Sequence, residues 1–588
     1  MPQEPVDQII ETDVLVIGGG IAGPRAAIEA KRAGLRVLMI VKGIYGASGC
    51  SVSPSTASAI GPWSDARDSV EKHRRDMIIN GKQFLCDQEI ANVQAHEGGE
   101  RLLELEKWGM VWDRDKEGKI GLFPSSELFP GTAATDRWIT FGRRGTHAVG
   151  PFWTGHGTVD VIRDEIHRQE IPYVEETIVS RIFVTDNRVT GALAYDYLNS
   201  KTILVKCSAV VIASGDSGML YFPHTMVSGE GTGDGFALAY EAGAQLANME
   251  QFEYISMMHA YPDSARTKAA LEAATEPGEM AYLRNSLGER FMERYNPKMK
   301  ELSSQEELAK AMWQEVKEGR GGPHGGVFLD LRHISRDKAA KGVPGRLEFI
   351  EKLGYNIRKD LIEVFPVVHT TTGGIRIDTA CRTRVNGLFA AGQVTFAVND
   401  CLGEGATGIV DALVWGKRAG ESAAVYSRSS KRIEPNVSDV MEEVKALSAP
   451  LQAASGVPPV KIIRRLQRAM WEGASIIKNE EGLLKTLDEI EEIQKTMLGQ
   501  MCTTTRSGMF NYEMREVIEV RHMVTVGEMI VRSSLTRKES RNRFHRSDYP
   551  KQDDEHWLKH ILVEKAPGGM KVTTVPVEFP YLKPEVSR

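Results

Sequence analysis

Residues 12–23 read Thr12-Asp-Val-Leu-Val-Ile-Gly18-Gly-Gly20-Ile-Ala-Gly23, an apolar run that breaks into Gly-x-Gly-x-x-Gly and opens a helix. The pattern predicts a buried parallel strand over 14–17, a tight turn at Gly18 and a backbone that a pyrophosphate can approach at Gly20. Gly23 then lets the helix over 22–33 pack against the strand. The first amides of that helix have no intrahelical acceptor, and with the helix dipole they favour phosphate. A second apolar run over 36–41 completes a strand–turn–helix–strand unit. The unit predicts a bound dinucleotide, NAD or FAD, that carries the chemistry.

The 588 residues exceed what one core holds and predict several domains. A hydrophobic content of 41% with 26% charged residues is that of a globular protein, and a net charge of −6 with no basic stripe excludes nucleic acid as a partner. No apolar stretch approaches the roughly 18 residues of a membrane span. The start Met-Pro-Gln-Glu-Pro-Val-Asp lacks a basic segment followed by an apolar one, so a cytoplasmic location is expected. Six cysteines, at 50, 86, 207, 381, 401 and 502, show no Cys-x-x-Cys spacing, which argues against a zinc site or iron–sulfur cluster in this chain. If electrons leave the cofactor singly through clusters, another polypeptide must carry them.

Beyond the first unit, 43–62 reads as a loop wrapping the cofactor. Helical periodicity covers 66–80 and 87–108, and 178–186, 188–195 and 202–205 alternate like an antiparallel meander. Ser208-Ala-Val-Val-Ile-Ala-Ser-Gly215 repeats the strand-into-glycine theme, and Gly231-Thr-Gly-Asp234-Gly opens a helix over 236–242. Residues 249–364 lose the strand–helix alternation and read as an inserted cap, with a helix over 305–318. A third strand into glycine, 385–392, precedes a helix over 407–426. Amphipathic helices follow at 437–447, 460–478, 480–498 and 514–535, and short strands at 570–573 and 574–579 lie across the surface or meet a partner. The predicted division is a nucleotide domain from 1–248 and 365–428, a capping domain 249–364, a helical domain 437–540 and a C-terminal extension 541–588.

Several segments in this order resemble the flavoprotein subunit of the succinate dehydrogenase and fumarate reductase family, which includes L-aspartate oxidase and, more distantly, the adenylylsulfate reductase alpha subunit. They are Leu287-Gly-Glu-Arg-Phe-Met-Glu-Arg-Tyr295, Gly326-Val-Phe-Leu-Asp-Leu-Arg-His333, His369-Thr-Thr-Thr-Gly-Gly-Ile375, Gly387-Leu-Phe-Ala-Ala-Gly392, Asp411-Ala-Leu-Val-Trp-Gly416, and Arg537-Lys-Glu-Ser-Arg541 with Asp548-Tyr-Pro550. The resemblance implies FAD and an α/β fold: a doubly wound Rossmann-like FAD-binding domain with an inserted α+β capping domain, a helical domain and a C-terminal extension. It implies that Gly18, Gly20 and Gly23 cradle the pyrophosphate, that Lys42 lies near the adenosine end, and that Ser48, Ala213, Gly215 and Asp234 line the cofactor. Gly392-Gln393 stands where the family has Gly-Glu, so Gln393 is expected to bond a ribose hydroxyl without charge. The helix start at Thr407, Gly408 and Ile409 is expected to face the isoalloxazine ring and stabilise negative charge on it.

The departures concern attachment and substrate. Members that bind FAD covalently use a histidine in the loop after the second strand, and Ala47-Ser-Gly-Cys50-Ser-Val-Ser-Pro-Ser-Thr-Ala57 has none, so non-covalent FAD is expected. Cys50 reads as a packed loop residue. The family's His-Pro-Thr-Gly element after Met-Glu is replaced by Gln251-Phe-Glu253-Tyr-Ile255-Ser-Met257. Its proton-donating arginine is replaced within Ser303-Ser-Gln305-Glu306, and Asn-Arg-Leu-Gly becomes Asn399-Asp400-Cys401-Leu402-Gly403. His369 persists. A dianion in a closed site needs buried cations, so fumarate and succinate are not expected as substrates. His369, Gln305 and Glu306 are the candidate catalytic residues, Glu404 is a further acid–base candidate, and Arg290 and Arg294 are expected to support the cap through ion pairs.

The leading expectation is an FAD-dependent oxidoreductase subunit that moves a hydride between flavin and an organic substrate, exchanges electrons with a separate iron–sulfur protein, and meets a membrane only through a partner. The alternatives are an oxidase of the L-aspartate oxidase type, chemistry like that of adenylylsulfate reductase, and a flavin electron-transfer module without its own substrate.

Overall fold

The computed structural model describes residues 6–54, 57–64, 66, 68–114, 116–118, 120, 122–124, 138–140, 142–143, 154–266, 281–342, 346–397 and 407–584. Asp400, Cys401 and Glu404 fall outside them. The strand Val14–Ile17 lies in the middle of a parallel sheet of order Leu388–Ala390, Ala209–Ile212, Val14–Ile17, Val37–Ile40, Tyr173–Val174. The runs Val-Leu-Val-Ile, Ala-Val-Val-Ile and Val-Leu-Met-Ile are buried at every position, as expected of strands covered on both faces. Helices Ala22–Arg32 and Gly408–Ser429 pack on the sheet and on each other. Their contact is close because Gly416 and Gly420 face the backbone of the first helix; a Cβ at Gly420 would lie 2.2 Å from the Ala26 carbonyl oxygen. A meander of Thr177–Thr185, Arg188–Asp196 and Lys201–Lys206 also packs on the sheet. Its edge is closed by Gln8–Glu11, parallel to Lys201–Lys206.

The cap is a four-stranded antiparallel sheet of Phe252–His259, Ile362–Thr371, Val327–Asp330 and Tyr282–Arg284 over its own core, which includes Leu283, Phe291, Met312 and Leu329. Helix Gln305–Lys317 closes it and starts on a capping box, Ser304 with Glu307. Arg290 pairs with Glu301 at 2.6 Å and Arg294 with Glu315 at 2.7 Å, the supporting ion pairs anticipated. Strand Ile362–Thr371 runs unbroken across position 364 and carries His369 at a register shift in its pairing with Phe252–His259, between the pairs Val368–Tyr254 and Thr370–Glu253.

Helices Val437–Gln452, Pro459–Ala474, Glu480–Thr496 and Tyr512–Thr536 follow, the last three packed into a bundle. The predicted helix over 66–80 is instead Val70–Asp76 followed by one π-helical turn, Met77–Gly81. The tail also differs from expectation. Residues 570–579 form not two strands but part of one, Gly569–Pro576, hairpinned onto Lys559–Ala566. The alternation passes through Thr573-Thr574 without a break because β-branched residues suit a pleated strand. The hairpin joins Leu246–Ala247 and Gly374–Ile375 in one sheet, so it belongs to the body of the protein.

Between bundle and hairpin, residues 537–548 form a strap that buries Arg537, Arg541, Arg543 and Arg546. Arg537 is compensated by Glu250 at 2.7 Å and Glu539 at 3.0 Å, Arg541 by Glu539 and Asp554, and Arg546 by Asp548. Lys478, paired in strand with the strap, is 2% exposed; its Nζ has no hydrogen-bond partner among the described residues and lies 4.6 Å over the Phe544 ring. Burial lowers it to about 7 against the pull of Glu250. A folded-state value below the unfolded one means that stability falls as pH drops from above 10 towards 7. Lys478→Met is therefore expected to raise urea stability at pH 7 by ~2–4 kcal/mol and to flatten that pH slope. An unchanged midpoint would contradict it.

Candidate active site

One cavity opens at the C-terminal ends of the parallel strands, where doubly wound sheets bind ligands. Gly18, Gly20, Lys42, Ser48, Ala213, Gly215, Asp234, Gly392, Gln393, Gly408, Ile409 and His369 all line it. Gly23 and Thr407 sit outside the lining: Gly23 is the second residue of helix Ala22–Arg32, and Thr407 is the N-cap of helix Gly408–Ser429. Gly18 has φ +119°, and a Cβ there would lie 2.2 Å from the Ala213 carbonyl oxygen; at Gly23 it would lie 2.1 Å from that of Gly18. Turn and helix therefore approach as closely as the fingerprint requires. Ser51 was not anticipated as part of this turn. Its Oγ accepts a hydrogen bond from the Ile21 amide at 3.1 Å, and a Cβ on Gly20 would meet it at 2.8 Å. The glycine cradle, the helix start and the apolar walls at Ile17, Val41 and Ile409 fit a dinucleotide.

Lys42 is more committed than the sequence showed. Its Nζ lies 2.5 Å from Asp234, 2.8 Å from Glu519 and 2.6 Å from the Thr232 hydroxyl, and His522 Nδ1 lies 2.9 Å from the other Asp234 oxygen. Burial alone would raise the Asp234 carboxyl, but Lys42 and His522 outweigh it and hold it well below the usual range. The cluster fixes the cavity wall to helix Tyr512–Thr536. Glu519 and His522 are nearly 300 residues from Asp234, and nothing local marked them. Gln393, expected on a ribose, donates its amide to the Thr371 carbonyl. Asp216, buried so that its carboxyl is pushed up, accepts from the Thr370 hydroxyl at 2.5 Å and the Thr371 hydroxyl at 2.7 Å. Together these contacts pin the strand end that presents His369.

Behind the cavity lies a charged chain assembled from four parts of the sequence. His369 Nδ1 donates to Glu253 Oε2 at 2.5 Å; since a carboxylate only accepts, this nitrogen carries the proton. Arg543 Nη2 lies 3.0 Å from Glu253 Oε1, and Arg543 Nε donates to Glu306 Oε1 at 2.8 Å. Glu253 is fully buried and the Arg543 side chain is 2% exposed, whereas Glu306 and His369 keep 19% and 18% exposure. Gln305 is engaged inside the cap: its Oε1 accepts from the Ser256 amide at 3.0 Å and hydroxyl at 2.6 Å. His369, Glu306 and Glu253 thus converge as residues, and the strap supplies the guanidinium that joins them.

Residues 13–407 match the FAD binding domain family, and residues 463–588 match the fumarate reductase flavoprotein C-terminal family. The chain belongs to the fumarate reductase and succinate dehydrogenase flavoprotein family. It is 33% identical to one of the subunits of the Methanothermobacter marburgensis fumarate reductase (CoM/CoB), over 95% of this chain and 98% of that one. Its fold is similar to Mycobacterium smegmatis Sdh1 in complex with UQ1, with TM-score 0.87, 30% identity and coverage of 98% and 96% of the two chains. It is also similar to a variant of Escherichia coli quinol fumarate reductase, with TM-score 0.86, 27% identity and 98% of each chain covered. The flavoprotein is an FAD-dependent oxidoreductase, and its cofactor is FAD. Among the described residues no helix is long and apolar enough to cross a membrane.

Proposed function

We propose that this flavoprotein is the subunit of an oxidoreductase that acts on an organic substrate other than fumarate or succinate and exchanges electrons with a separate iron–sulfur protein. The observation that carries the reading is the commitment of Arg543 to two carboxylates. Arg543 lies 3.0 Å from Glu253 and 2.8 Å from Glu306, so its charge is already met by two carboxylates instead of being left for a second carboxylate of a dianion. Neutral or monoanionic α,β-unsaturated compounds fit that arrangement better. FAD, when bound, supplies the two-electron chemistry. Gly18, Gly20 and Gly23 would hold its pyrophosphate, and the start of helix Gly408–Ser429 would hold its ring. His369 gives or takes a proton at Nε2, while Glu253 fixes the tautomer and stabilises the imidazolium. Gln305 holds strand Phe252–His259 in place through Ser256. The FAD is held without a histidyl bond, since the loop 47–57 has no histidine; Cys50 in that loop is exposed on the cavity lining rather than packed as expected.

The rival reading is fumarate reduction, favoured by the names of the relatives. Turnover driven by a reduced viologen separates the two. Against a panel of unsaturated acids, amides and thioesters, kcat/KM for fumarate should fall at least 100-fold below the best compound, and acid precipitation should leave FAD in solution. Fumarate turnover equal to the best compound would overturn the reading. Peroxide formation with oxygen as sole acceptor would point to an oxidase of the L-aspartate oxidase type.

A further inference from the structure

We propose that Asp411, acting with Lys82, is the protonatable group that sets the reduction potential of the bound flavin. The inference rests on the placement of the flavin ring at the start of helix Gly408–Ser429. In that first turn Gly408, Ile409 and Ala412 line the cavity, and Asp411 lies between the last two. The Asp411 amide donates to the Thr407 carbonyl at 2.8 Å, so the residue is inside the helix rather than at its cap. An acid in the first helical turn normally finds its partners among the unpaired first amides. Asp411 is 1% exposed, and its buried Oδ1 has no hydrogen-bond partner among the described residues. A carboxylate left that way is the costly form and a carboxylic acid the cheap one.

The surroundings agree. Burial pushes the Asp411 carboxyl up to about 7, and Lys82 is the charge that opposes this. Lys82 is 3% exposed, with Nζ 3.5 Å from the Thr372 carbonyl, on the same strand end whose Thr370 lines the cavity. Among the described residues the Cys381 thiol also acts with Asp411, and burial keeps it protonated. Arg418, two turns along the same helix, is paired with Glu97, and neutral Gln94 on helix Gln88–Lys107 accepts from Trp415 Nε1. With Asp411 neutral, the helix start and Lys82 present positive potential to the ring and favour its reduced, more negative form. Ionisation of Asp411 cancels part of that field, so the potential falls as pH rises through the neutral range.

The test is the midpoint potential of FAD on the full-length chain, measured by dye equilibration at pH 6 and 8.5 for wild type, Asp411→Asn and Lys82→Met. Asp411→Asn should coincide with wild type at pH 6 and lie above it at pH 8.5. Lys82→Met should move the steep part of the wild-type curve to higher pH. Coincidence of Asp411→Asn with wild type at both pH values, or an equal offset at both, overturns the proposal. A second readout needs no flavin. A carboxyl raised in the folded state stabilises fully below about pH 4 and loses that contribution as pH rises to 7, so Asp411→Asn should flatten the slope of thermal stability over this range. If the slope flattens while the potentials coincide, Asp411 titrates as described and the seating of the ring at this helix is wrong; if neither changes, Asp411 itself is wrongly assigned.

Discussion

Arg543→Met is expected to reduce turnover of the preferred substrate by 10²- to 10⁴-fold and to lower urea stability by ~3–5 kcal/mol. The cause of both losses is the same pair of carboxylates. Glu253 is fully buried and Glu306 mostly so, and without the guanidinium each loses that counter-ion. Glu253 would then lean on His369 Nδ1, and the imidazole would be drawn out of its orientation towards the cavity. Glu253→Gln separates the two effects. It removes one carboxylate and leaves Arg543 with Glu306, so stability should suffer less. Turnover should still fall about as far, because an amide can present its NH2 to Nδ1 and fix the wrong tautomer. The double variant Glu253→Gln with Arg543→Met should regain part of the stability and none of the activity. Equal recovery of both would show that the network is structural. A wild-type pH profile of kcat in Glu253→Gln would remove Glu253 from proton transfer.

The second large effect is expected at the turn beneath the cofactor. Gly18→Ala should weaken FAD binding at least 100-fold and destabilise the chain by ~2 kcal/mol or more. Two costs coincide there. The residue has φ +119°, a region that side chains avoid, and its Cβ would lie 2.2 Å from the Ala213 carbonyl oxygen, a backbone atom that cannot rotate away. Relief requires Val14–Ile17 to part from Ala209–Ile212, which also moves the first amides of helix Ala22–Arg32. Gly34→Ala is the control, since φ is +80° with nothing within 4 Å of the added atom. It should cost only the backbone term, ~1–2 kcal/mol, and leave FAD affinity unchanged. Titration of apoprotein with FAD, followed by flavin fluorescence, reads both; near-wild-type affinity in Gly18→Ala would contradict the argument.

Much of the FAD fold was legible because its signals are local. The strand runs, the glycine turns and the amphipathic helices repeat with periods that a short window reveals, and the observed elements fall within a few residues of the predicted ones. The insert at 249–364 was marked in the sequence mainly by its loss of that rhythm. The tail was misread at Thr573-Thr574, where strand pairing overrode a local division. In the site, His369 and the losses at 251–257 and 305 were visible because a family pattern made each absence readable. Ser51, Glu519, His522 and Arg543 had no such marker. Arg543 in particular lay within a run of arginines, Arg537, Arg541, Arg543 and Arg546, that composition alone cannot tell apart.

By itself, then, the sequence determined that a strand enters a glycine turn at Gly18, that this turn and the helix behind it have the pattern of a dinucleotide site, and that the arginines of the family's dicarboxylate pattern are missing. These are properties of neighbouring residues, because steric freedom at a turn and the chemistry of a side chain are set within a few positions. Only the tertiary structure decided that Lys42 is spent on Asp234 and Glu519, that Gln393 holds Thr371, and that Arg543 crosses from the strap to join Glu253 with Glu306 behind His369. The physical reason is that charge compensation in a buried site depends on distance in space, and chain folding brings together groups as far apart as Glu253 and Arg543 that no sequence window contains.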